Sequence, residues 1–215
     1  MYRRNLFTTL LFILFFFLVK AQEPVYKSWF SVSYEQKVKL AKKFKIKVNI
    51  SQGLRISDIF YTQKYSALSE IAASKKITKF YKLGFSYRAS YINRFKSRMA
   101  ILNKFSIKLN PLVLAFRIKY QAEFEKNTAF SQDFRGKTIL KWNANKDYRP
   151  YLFGEILYNN TYNFSNFNEF RLGIGLSADY KKKHNFDVML MFVQDLNIEY
   201  PRKNVVLGLE YLFSK

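Results

Sequence analysis

The sequence predicts an all-β protein: a transmembrane antiparallel β-barrel of ten to twelve strands, with twelve favoured. Three observations predict it. From Ser28 onward the apolar residues recur with a period of two, where a helix would show about 3.6. Most of these runs exceed the roughly 5–6 residues usual in soluble sheets and approach the roughly 9–11 that a tilted membrane-crossing strand needs. Finally, 23 Phe and 16 Tyr share the chain with 37 Lys+Arg, and within each run the apolar and the basic residues take opposite faces.

The first run sets Phe30, Val32, Tyr34, Val38 and Leu40 against Ser31, Ser33, Glu35, Lys37 and Lys39. Phe44, Ile46, Val48 and Ile50 repeat this against Lys45, Lys47, Asn49 and Ser51. Leu83, Phe85, Tyr87, Ala89 and Tyr91 alternate with Lys82, Gly84, Ser86, Arg88 and Ser90. Leu112 to Phe124 places its even positions opposite Arg117, Lys119, Gln121 and Glu123. Phe170, Leu172, Ile174 and Leu176 face away from Arg171, Gly173 and Gly175. The last run opposes Val205, Leu207, Leu209, Tyr211 and Phe213 to Val206, Gly208 and Glu210. One face of each strand is apolar and the other polar.

Turn signals divide the chain into about eleven segments, near 29–40, 44–56, 61–74, 80–92, 97–109, 112–125, 131–143, 149–159, 168–181, 184–198 and 202–213. Pro111, Pro150 and Pro201 fall in connections or at strand starts, where a missing N–H does no harm. Connections alternate between short (41–43, 75–79, 110–111, 144–148, 182–183) and longer (57–60, 93–96, 126–130, 160–167, 199–201). That alternation suits an outer-membrane barrel, whereas eleven segments is an odd count and such barrels use an even one. Reading 61–74 as partly helical would give ten strands; a missed short strand gives twelve, which preserves the loop alternation.

The N-terminus sets the compartment. Arg3 and Arg4 precede an apolar run from Leu6 to Val19, and Val19 and Ala21 occupy the −3 and −1 positions of a signal-peptide cleavage site before Gln22. The expected organisation is a signal peptide at 1–21 and an outer-membrane barrel domain at 22–215. Loss of Arg3, Arg4 and Lys20, with no acid among them, lowers the net charge from +22 to +19.

Composition excludes several chemistries. With no Cys and one His, neither a disulfide scaffold nor a thiolate metal site is available. His184 follows Lys181-Lys182-Lys183 and reads as a solvated turn residue rather than the base a Ser hydrolase requires. No phosphate-binding glycine loop occurs. The expectation is a non-enzyme without cofactor or metal. Nucleic acid is a poor partner, because stacking rings and phosphate-binding cations need one face and here occupy two.

The polar face would line the lumen with Arg55, Arg88, Arg98, Arg117, Lys119, Arg135, Lys137 and Arg171. Glu70, Glu123, Glu155, Asp179, Asp187 and Glu210 share that side, and Glu155 is the expected partner of Arg117 or Arg135. A barrel of this size is filled largely by its own side chains, so a plug of ion pairs is weighed against a basic constriction that selects anions. Trp29, Tyr120, Trp142, Tyr148, Tyr151, Tyr158, Tyr180 and Tyr200 are expected in interfacial girdles. Lysines in short turns would form a basic rim meeting lipid phosphates.

A string of short motifs resembles a known family. It includes Ser28-Trp29, Ser51-Gln52-Gly53-Leu54-Arg55, Phe85-Ser86-Tyr87-Arg88, Phe116-Arg117-Ile118-Lys119-Tyr120-Gln121 and Phe134-Arg135-Gly136-Lys137. Later come Arg149-Pro150-Tyr151-Leu152-Phe153-Gly154-Glu155 and Asn168-Glu169-Phe170-Arg171-Leu172-Gly173-Ile174-Gly175-Leu176. In order and spacing these resemble the outer-membrane β-barrels catalogued as domain of unknown function 2490. The resemblance implies fold and location, and brings no activity. The expected role is a structural barrel or a small anion-leaning pore, with membrane lipids and small anions as partners. The alternative is a secreted or periplasmic soluble β-barrel carrier of a small apolar ligand, of lipocalin type.

Overall fold

Strict alternation leaves each segment one conformation that buries its polar face with others of its kind, and in the computed structural model all of them are strands. The structure describes residues 25–41, 44–57, 64–91, 95–125, 130–143, 145, 147–161, 164–181, 183–199 and 201–215. The expected signal peptide, Lys42, Lys43, Lys182 and Tyr200 lie outside these residues.

The strands are β1 (Val25–Ala41), β2 (Phe44–Ser57), β3 (Lys64–Lys76), β4 (Tyr81–Tyr91), β5 (Phe95–Leu109) and β6 (Leu112–Glu125), followed by β7 (Ser131–Trp142), β8 (Tyr148–Thr161), β9 (Phe164–Tyr180), β10 (His184–Asp195) and β11 (Lys203–Ser214). Each pairs with its sequence neighbours, and β1 meets β11, so the sheet closes on itself as a barrel. The all-β barrel class is as predicted, and the doubtful segment at 61–74 is a strand over its described residues, from Lys64 onward.

Among the described residues the strand count is eleven, inside the expected range, although twelve was favoured. The reason is topological. In an up-and-down meander an odd count brings the first and last strands together in the same direction. β1 and β11 accordingly pair in parallel, from Val25↔Asn204 to Glu35↔Ser214, while the other ten pairings are antiparallel. The even-count rule presumes an antiparallel seam, and this barrel closes without one.

The run 160–167, expected as a loop from its Asn, Thr and Ser content, is mostly strand. β8 continues to Thr161 and β9 begins at Phe164. A bulge sets Leu157 opposite Glu169 and Tyr158 opposite Phe167, which brings the Tyr158 and Phe167 rings edge to face at 5.3 Å. That aromatic pair supports the extension against the turn-forming residues.

Outside, the wall is apolar: Phe30, Leu54, Phe85, Ile101, Phe116 and Ile174 are all exposed. Inside, Phe153, Met191, Val193 and Val206 are buried together, with Trp29, Ile139, Tyr151 and Met189 against them. This small core occupies the β8–β11 and β1 side of the lumen; ionic groups occupy the rest.

Three expectations about aromatic residues are corrected. Trp29 and Tyr151 belong to the internal cluster and not to a girdle. Their parity explains it: Trp29 alternates with the outward Phe30, and Tyr151 with the outward Leu152. His184 is no loose turn residue. It opens β10, its Nδ1 lies 2.7 Å from the Tyr211 hydroxyl, and its ring stands within 6.1 Å of those of Tyr180, Tyr211 and Phe213. Trp142, Tyr148 and Tyr180 do stand exposed at strand ends.

Candidate functional site

Residues directly opposed across a pair of strands share a face, so one inward residue fixes its neighbours. Glu155 on β8 opposes Lys137 on β7 and Arg171 on β9; Lys137 opposes Arg117 on β6; Arg135 opposes Lys119. Glu70, Arg88 and Arg98 stand opposite one another on β3, β4 and β5. Of the predicted lumen residues, Arg55, Arg88, Arg117, Lys119, Arg135, Lys137, Glu155 and Arg171 line one internal cavity of about 480 Å³. Arg98 faces the same side one strand from Arg88.

The acids are shared unevenly. Arg88 donates to Glu70 (2.6 Å), and Arg98 donates to Glu123. Glu155, 5% exposed, accepts from Arg171 at 3.2 Å and from Arg117 at 3.4 Å. Arg171 also holds Glu169. Arg117 is therefore one of the two expected partners of Glu155, but the second is Arg171 and not Arg135. The register decides this, since Arg171 opposes Glu155 directly whereas Arg135 opposes Leu157. Arg135 instead has Asp133 at 3.9 Å.

Among the described residues, no carboxylate lies within ion-pair distance of Arg55, Lys82, Lys104, Lys119, Lys137 or Lys141. Three of these rest on aromatic rings. The Arg55 guanidinium lies 4.5 Å from the Trp29 ring centre, the Lys137 ammonium 3.5 Å from that of Phe153, and the Lys141 ammonium 5.3 Å from that of Tyr151. A ring face attracts a cation but offers it no carboxylate charge and no lone-pair acceptor.

Small residues make space for those rings. A Cβ on Gly173 would stand 2.6 Å from the Phe153 ring and 2.9 Å from the Leu190 carbonyl oxygen; at Gly175 it would strike Tyr151, and at Gly208 it would strike Met189. The lumen thus has two walls. β8–β11 and β1 present rings and thioethers over glycines, together with Arg171 and the acids Glu155, Asp187 and Glu210, and β2–β7 present most of the cations.

Toward one end, a polar set closes the wall. Asp133 accepts from the Gln121 amide, which is 1% exposed, and from the Asn159 amide at 2.5 Å. Asp133→Ala should cost about 1–3 kcal/mol, because one buried and one half-buried donor lose their acceptor. Asp133→Asn, which keeps the shape and one acceptor, should cost less. Denaturant melts of the folded barrel compare the two.

That these cations share one face can be read from strand parity. The aromatic wall was not listed from sequence, though a signal existed. Once Glu155 is inward, Phe153 and Tyr151 two and four residues before it are inward as well. Lys82, Lys104 and Lys141 were also missed, because their importance comes from what they oppose across the sheet.

No family model matches the chain, and no curated protein matches it. Solved structures similar to it include two porins. One, a KdgM porin, has a TM-score of 0.46 at 13% identity, covering 76% of this chain and 91% of that one. The other, a KdgM porin in complex with disordered oligogalacturonate, has a TM-score of 0.46 at 14% identity, covering 81% of this chain and 95% of that one. A likeness of this depth assigns no ligand.

Proposed function

We propose that this chain is a non-enzymatic outer-membrane β-barrel, exported by a signal peptide cleaved after Ala21, whose lumen favours small anions. One observation carries the functional half. The cavity is lined by nine Lys and Arg but only five carboxylates. Buried charge without a partner is costly, and a fully paired plug would not leave this excess. Anions entering the cavity offset it, which favours an anion-leaning passage over a closed structural plug.

Location rests on the outer wall. A contiguous exposed apolar surface is unfavourable in water, whereas a closed barrel in lipid leaves no backbone group unpaired. Lysines at the rim, such as Lys181 beside Tyr180, would meet lipid phosphates. The resemblance of its short motifs to the domain of unknown function 2490 barrels implies the same location. The lipocalin-type alternative requires the opposite arrangement, an apolar lumen and a polar exterior.

Fractionation and vesicle flux test the proposal. The protein should sediment with outer membranes, require detergent for extraction and migrate faster on gels when unboiled. Vesicles containing it should admit iodide, read by quenching of an enclosed dye. Recovery from the soluble fraction would support the carrier reading, and membrane-bound protein that admits no iodide would support the closed barrel.

A further inference from the structure

The register aligns cations into a row. Lys82 on β4 directly opposes Lys104 on β5, Lys104 opposes Arg117 on β6, and Arg117 opposes Lys137 on β7. The row continues through Glu155 on β8 to Arg171 on β9. Neighbouring strands lie about 4.8 Å apart, so the four leading cations span about 15 Å. Because strands in a closed barrel tilt to its axis, a row running square to them climbs the wall as a ramp.

Such a row is unfavourable by itself, since like charges directly opposed across a sheet repel. Ion pairs relieve it at one position: among the described residues, Arg117 alone of the four cations lies within ion-pair distance of a carboxylate, Glu155 at 3.4 Å. Lys137 is positioned by the Phe153 ring, which Gly173 admits, so its ammonium is held in place with donors unclaimed. The cavity runs beside the row, lined by Lys82, Arg117 and Lys137.

We propose that this row is a binding track for a linear oligoanion, carrying three or four phosphate or carboxylate charges at about the strand spacing. The inference rests on the anion-favouring lumen and adds the shape of the ligand: an extended chain of charges laid across β4–β7, not a single ion. A multivalent chain engages all four cations after losing its freedom once, whereas separate monovalent ions must each be immobilised.

Thermal unfolding of the detergent-solubilised barrel, read by gel shift at matched ionic strength, tests this. Sodium chloride, sodium tripolyphosphate and tetra-aspartate are the probes. At least one oligoanion should raise the midpoint by about 5 °C or more when in hundredfold excess over its dissociation constant, and chloride should not. A response to tripolyphosphate alone assigns phosphate chemistry, and to tetra-aspartate alone carboxylate chemistry. The double variant Lys104→Met/Lys137→Met removes alternate members of the row. It should melt no lower than the unsubstituted protein without ligand and lose at least three-quarters of the oligoanion shift. Lys183→Met, in an exposed turn, should keep the shift. No shift with either oligoanion, or the same shift in the double variant, overturns the track. This readout needs no conduction: a barrel that admits iodide but shows no oligoanion shift keeps the proposed function and loses the track.

Discussion

Glu155→Gln should lower the stability of the folded barrel by on the order of 3 kcal/mol, the scale for removing one member of a buried ion pair. The carboxylate is 5% exposed and serves both Arg117 and Arg171. With it neutralised, those two guanidiniums face Lys137, which directly opposes both Arg117 and Glu155, with no acid between them. Among the described residues, only Arg171 keeps another acid within ion-pair distance, Glu169. The same change should increase preference for anions, since it deletes one of five carboxylates lining the cavity. Unchanged gel-shift melting would show that Glu155 holds nothing together. The oppositely signed effects on stability and selectivity separate this residue from a general packing position.

Gly173→Ala should cost about 2 kcal/mol, in the range for forcing an extra methyl into a filled site. The added Cβ would stand 2.6 Å from the Phe153 ring and 2.9 Å from the Leu190 carbonyl oxygen, and Phe153, 1% exposed, has nowhere to retreat. Phe153→Ala alone should cost about 3–5 kcal/mol, as large-to-small core changes do. Together the two should be less costly than their sum, because removing the ring removes the main clash. A double-mutant cycle measures that coupling. Additive costs would mean that Gly173 serves the backbone and not the ring.

Much of this architecture can be read from side-chain alternation. Phe116, Ile118 and Tyr120 against Arg117 and Lys119 admit one periodicity, and that periodicity makes both a strand and a basic inner face. Where both faces are apolar, the pattern loses its phase. Tyr151-Leu152-Phe153 reads equally well in either orientation, and only Glu155 two residues later fixes it. Trp29 differs, because the outward Phe30 and Val32 with polar Ser31 and Ser33 already set the phase that turns Trp29 inward. The closing seam was hidden for another reason: a strand's pattern states which faces it has, not which strand finally completes the ring.

The cation row shows what pairing adds. Lys104 and Arg117 are equally distant from the Asn110-Pro111 turn, so a tight hairpin there forces them to oppose one another, as they do. A list of basic residues does not contain this relation; the register does. Burial of the internal rings likewise depends on Gly173, Gly175 and Gly208, each on a strand adjacent to the ring or thioether it accommodates.

The proposed anion preference turns on the excess positive charge inside the barrel. Reversal potential across a potassium chloride gradient, with the purified barrel in a planar bilayer, measures that preference. Discrete conductance steps should appear with a reversal potential displaced toward that of chloride, and Glu155→Gln should displace it further in the same direction. A reversal potential displaced toward that of potassium, or a bilayer without steps, would contradict the proposed preference.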